Sequence, residues 1–182
     1  MGGDEVGTEW GRSAHALERR RRGRFLSRVL SDRMRAGVET GVIAAAATAG
    51  ALAGLGARDR APVEAFRALG RMLLGVSASE APRAQSLALV TGIVIHAATV
   101  TLWGVLFAVI AARLRGVGLF VAAAVFSLVA YAVSSGILPP LLRLGYGAKA
   151  FPPQLALLYS VLALALAMGM RLAQSRRKID RV

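Results

Sequence analysis

The chain has 182 residues, 55% of them hydrophobic, and carries a formal charge of +13. So much apolar side chain and so much charge coexist in one compact unit only if they are kept apart along the sequence, and here arginines crowd the ends and loops while the long runs are nearly empty of them. This segregation speaks against a nucleic-acid-binding domain, whose basic residues stand among polar ones on folded faces, and the absence of cysteine excludes disulfides, cysteine metal sites and cysteine nucleophiles.

Residues 1–12, glycine-rich and of mixed charge, read as a disordered tail. From Ser13 to Arg35 the chain turns strongly basic. Leu26, Leu30 and Met34 recur every fourth residue beside Phe25 and Val29, and Arg24, Arg28 and Arg35 fall mostly on other faces. This is the pattern of a basic amphipathic helix in a membrane interface, with each arginine near an anionic leaflet contributing about 1 kcal/mol, but the preferred reading is a solvated, partly ordered positive flank that fixes topology, with a lipid-binding interfacial helix as the alternative. The arginines before Phe25 do not make a twin-arginine export signal, because Gly23 splits Arg22 from Arg24 and the first apolar run starts too late.

The first predicted span covers residues 37–56. Small residues repeat along it at four-residue steps, as Gly37, Gly41, Ala45, Ala49 and Ala53, with a second ladder at Ala46, Gly50 and Gly54. Such faces let helix backbones approach closely, so this span is expected to pack on two sides within a bundle, with Gly37, Gly41, Gly50 and Gly54 as packing residues. Glu39 lies in its first turn, within reach of Arg35 four residues back.

Between residues 57 and 83 a short amphipathic helix is expected from Pro62 to Leu74, with proline suited to its start and Gly75 to its end. It is too short to cross a bilayer and is expected to lie on it. The second span, 87–112, is uncharged and long enough to cross about 30 Å of hydrocarbon. Arg113 and Arg115 form a tight hairpin into the third span, 117–138, which Pro139–Pro140 ends. The fourth span, 154–173, follows Pro152–Pro153, and residues 174–182 form a basic, frayed tail.

These elements define an all-α, polytopic membrane protein of four transmembrane helices with short interfacial helices. Lysine and arginine number nine before the first span, two in the 113–115 hairpin and five from Arg171 onward, against five and two in the other two loops. By the positive-inside rule both termini are expected in the cytoplasm, with the protein in the inner membrane.

His96 is the one ionisable residue well inside any predicted span. Gly92, His96, Thr99 and Trp103 share a helix face, and Tyr131 and Ser134 of the antiparallel third span are expected at similar depth. Two readings of His96, Thr99, Trp103, Tyr131 and Ser134 stay open. They could form a polar site for a lipid head group, a quinone or a proton, or His96 could be a packing residue hydrogen-bonded to a neighbouring helix. A haem would need a second axial histidine, and His15 lies outside the spans. The chain has no phosphate loop, no HExxH and no paired carboxylate within a span, so no catalytic residue, metal site or cofactor is predicted.

From His96 onward the segments HAATVTLWGVLFAVIA and VAAAVFSLVAYAVSSGILPPLL, the short hairpin between them and the final span resemble the YagU-like inner-membrane proteins of bacteria. Tyr131 stands near the place where a second histidine of that family is expected. The resemblance implies a small multi-span protein of unsettled activity and assigns no catalytic residue. The expected function is that of a non-enzymatic interaction or assembly component. Its expected partners are anionic lipids and either further copies of itself or other membrane proteins, not nucleic acid. The alternative is a ligand-, lipid- or proton-handling protein using the His96 face.

Overall fold

The computed structural model describes residues 5–77, 79, 81–134 and 152–179, with side chains over 31–77, 79, 81–134 and 153–176. The described residues form helices α1 (Glu5–Arg58), α2 (Glu64–Leu74), α3 (Pro82–Ala111), α4 (Val117–Ala132) and α5 (Pro152–Ile179). Three segments, Ser31–Arg58, Pro82–Ala111 and Pro153–Arg176, are long and apolar enough to cross a membrane. The protein is therefore all-helical and built for a membrane, with its outward faces carrying exposed apolar residues such as Val90, Val94, Leu102 and Ile110 on α3.

The structure differs from the sequence reading at three helix ends. α1 runs unbroken from Glu5 to Arg58, where a tail to Arg12 and a separate basic helix from Ser13 were expected. The first proline is Pro62, and alanine, arginine, leucine and glutamate sustain a helix through the intervening glycines. α5 likewise continues to Ile179, beyond the expected start of the frayed tail, because nothing after Gly169 breaks it. α4 has 16 residues and passes into a wider helical turn at Val133–Ser134, the last described residues before 152. The rest of the expected third span, with Pro139–Pro140, lies outside the described residues, as do residues 1–4 and the last three of the chain.

α3 is the central element, flanked by α1 and α2. It is gripped on both sides through glycine. A side chain at Gly37 would meet the Val105 backbone at 2.7 Å, one at Gly41 would meet Thr101, and one at Gly104 would strike the Gly41 backbone. On the α2 side, Gly70 abuts the Ala88 backbone and Gly92 abuts Phe66. Close backbone approach of this kind replaces side-chain interdigitation with many short dispersion contacts. α5 packs on α1, with Gly169 against Thr40, and on α4. The core between these helices contains Ala44, Val100, Phe107, Leu119, Leu166 and Met170. Gln174 on α5 donates to the Leu114 carbonyl at 3.1 Å, which ties that end of α5 to the 113–115 hairpin.

α2 forms where expected, and Gly75 ends it in the left-handed conformation (φ 66°) with its N–H on the Arg71 carbonyl. It starts at Glu64, not Pro62, and it docks onto the flank of α3 by burying Phe66, Leu69 and Gly70. Its last turn leaves Met72, Leu73 and Leu74 exposed. Glu64 pairs with Arg67 at 3.0 Å and with Arg71, which also reaches Gln85 of α3 at 3.3 Å. Burial pushes the Glu64 carboxyl up, but hydrogen bonds and charge from Arg71 and then Arg67 outweigh it and hold the group below its ordinary 4.5. A carboxylate with a depressed folded value stabilises the fold above the ordinary value, and that contribution is lost as pH falls through the lower one. Acidification from neutrality to below 4.5 is therefore expected to loosen α2 from α3, read as lower amide protection across residues 64–74. Glu64→Gln is expected to show the lowered protection already at neutral pH, with no further step in acid.

Candidate functional site

The chemistry begins with two side chains on facing helices. Thr48 lies in the alanine-rich run of α1, and His96 lies near the middle of α3. Both are buried, with 3% and 6% exposure. Thr48 Oγ1 is 2.8 Å from the Ala44 carbonyl and 3.1 Å from His96 Nε2. A threonine inside a helix places its hydroxyl hydrogen on the carbonyl four residues back. With its hydrogen placed there, the oxygen is free to accept from the Nε2-protonated form of the His96 ring. The Ala45 carbonyl also faces His96. Phe66 of α2 packs edge-on against the imidazole, with centroids 5.4 Å apart and planes at 81°. His96 is thus the point at which α1, α2 and α3 meet.

Beside this pair is a cavity of about 50 Å³, lined among others by Thr48, His96, Trp103, Ser134 and Tyr159. It is far below the roughly 300–1,000 Å³ of small-molecule sites and is suited to a few waters between its polar groups. The Tyr159 and Ser134 hydroxyls share a hydrogen bond across the α4–α5 seam. Trp103 is held edge-on against Phe126 of α4, 5.7 Å between centroids, and Phe107 is 5.4 Å from the same ring.

The structure brings His96, Trp103 and Ser134 of the sequence-predicted set around one cavity. It places Tyr131 outside that cavity, packed on Tyr159 at 5.2 Å and lining a larger groove between α4 and α5. Thr99 lines neither space and is half-buried on α3. Sequence reasoning missed Thr48 and Tyr159. The available signals were modest: Thr48 is a hydroxyl among alanines, and Tyr159 is the single aromatic residue of the last span.

The predicted packing glycines divide into two pairs. Gly37 and Gly41 sit against α3, whereas a side chain at Gly50 or Gly54 would meet nothing within 4 Å. The expectation that α1 uses both small-residue ladders within its own bundle is therefore corrected. The ladder through Gly37 and Gly41 faces inward, and Ala46, Gly50 and Gly54 lie exposed. Glu39 keeps the expected ion pair with Arg35, at 3.3 Å. Among the described residues, no cluster of three histidine, aspartate or glutamate side chains is placed to hold a metal ion.

Comparison with family models, with curated proteins and with solved structures finds no match to this chain.

Proposed function

We propose that the chain is a four-span protein of the bacterial inner membrane, with both termini in the cytoplasm, that acts by side-to-side association with another membrane helix and not by catalysis. The observation that carries this reading is the uncovered Ala46–Gly50–Gly54 stripe on α1, beside a ladder of similar composition whose Gly37 and Gly41 are packed against α3. In hydrocarbon a smooth small-residue face gains little from lipid and much from a second helix that can approach its backbone. A second copy of this chain fits the stripe most simply, and another membrane protein with a similar face is the other candidate partner. The basic flank before Arg35 orients the protein and draws it to anionic lipids. The kinship of the His96 region with YagU-like proteins remains a proposal resting on the residues quoted above.

The geometry around His96 favours packing over ligand handling, since Nε2 is engaged by Thr48, the ring is covered by Phe66, and the adjoining space is about 50 Å³. The test is particle mass in detergent or nanodiscs. The Gly50→Leu/Gly54→Leu double variant is expected to remain folded, because neither position has a neighbour, and to lose the associated species. An unchanged mass distribution would remove the basis of the proposal.

A further inference from the structure

A second space in the molecule has different chemistry. The groove between α4 and α5 measures about 360 Å³, inside the roughly 300–1,000 Å³ range of small-molecule sites. Small side chains at Ala124, Ala156 and Ala163 leave it open, and Ser127, Tyr131, Tyr159 and Ser160 supply its polar groups. Leu128, 66% exposed, stands at its outer edge, so its mouth faces the surroundings of the bundle rather than its core. Among the described residues, no charged side chain lines it. Ser127 is 2% exposed, and its Oγ has no hydrogen-bond partner.

A buried hydroxyl without a partner is costly, and natural structures rarely keep one without a use. Its position in the wall of a ligand-sized groove points to an acceptor that arrives from outside the chain. We propose that this groove binds a neutral, membrane-dissolved ring lipid of the quinone type, with a ring carbonyl accepting from Ser127 and the apolar tail leaving past Leu128. The described lining offers hydroxyls and apolar groups and no counter-charge, which disfavours a phosphate or carboxylate head. The volume suits a ring and the first part of a tail. The edge-to-face pair of Tyr131 and Tyr159 offers aromatic surface to a flat ring. The proposal requires α4 to lie in the bilayer beside α5; it does not depend on association through α1.

The test is the thermal unfolding midpoint of the full chain in nanodiscs, titrated with decylubiquinone and, in parallel, with decylcyclohexane as a tail without carbonyls. A saturable rise is expected with the quinone alone. Ala156→Leu, which fills the groove, is expected to abolish the rise. Ser127→Ala is expected to raise the unliganded midpoint, since it removes the stranded hydroxyl, and to weaken quinone binding about five- to tenfold. An equal rise with decylcyclohexane, or a full quinone response in Ala156→Leu, would overturn the proposal. If Ala156→Leu does not insert, Ser127→Ala decides, and unchanged affinity there would overturn it. Particle mass, read on the same samples, reports separately on the α1 stripe.

Discussion

Gly104→Leu is expected to prevent recovery of folded protein, with a destabilisation of about 3 kcal/mol or more. The side chain would be driven into the backbone of Gly41, with the Gly37 carbonyl at 2.9 Å. Flexible side chains can give way, but two helix backbones in contact move only as whole helices. The α1–α3 seam would have to open along its length, from Gly37 against Val105 to Thr48 against His96. The reference variant is Gly118→Leu on α4, where an added side chain meets nothing within 4 Å. It should express and unfold like the wild type. Equal yields of Gly104→Leu and Gly118→Leu in mild detergent would contradict the close crossing.

Thr48→Val is expected to cost about 1–2 kcal/mol, because it leaves the buried His96 N–H with the Ala45 carbonyl as its remaining acceptor. His96→Leu is expected to cost less. Thr48 keeps its bond to the Ala44 carbonyl, and leucine fills similar space. The double variant should therefore cost less than the sum of the two single ones, which is the signature of two side chains coupled through one hydrogen bond. Unfolding midpoints of the four proteins in one detergent provide the cycle. Strictly additive effects would show that the two side chains are not coupled. Association through α1 should survive in all four.

The contrast between Gly37–Gly41 and Gly50–Gly54 shows where the sequence stops being informative. Both pairs carry the same four-residue spacing and lie in the same run, so their helix and their capacity for close packing were legible. Which pair meets α3 was not, because core and lipid are almost equally apolar and no polar face marks the outside. In a water-soluble helix the exposed stripe would have been charged. Gly75 was legible as a stop because a left-handed residue there suits glycine, and the structure uses it so. His96, Trp103 and Ser134 came together because helical spacing and antiparallel order fix depth. Thr48 and Tyr159 were missed because their contribution depends on how α1 and α5 are rotated about their axes, and spacing within one helix carries no such information. The length of α1 was underestimated for a different reason. Composition suggested a tail, while no residue before Pro62 imposes a break.

The double grip on α3 also bears on the order in which the protein is made. Every glycine contact of α3 joins it to helices that precede it in the chain: Gly37 and Gly41 of α1, and Gly70 of α2. A ribosome that has delivered residues through Ala111 has already supplied both halves of these seams, so the three can close on one another while α4 and α5 are still to come. The last helix then arrives at a preformed surface, setting Gly169 against Thr40 and binding the hairpin at Leu114 through Gln174. Maturation is thus expected to proceed as a nucleus followed by a latch, and chains truncated after Ala112 should already shield His96.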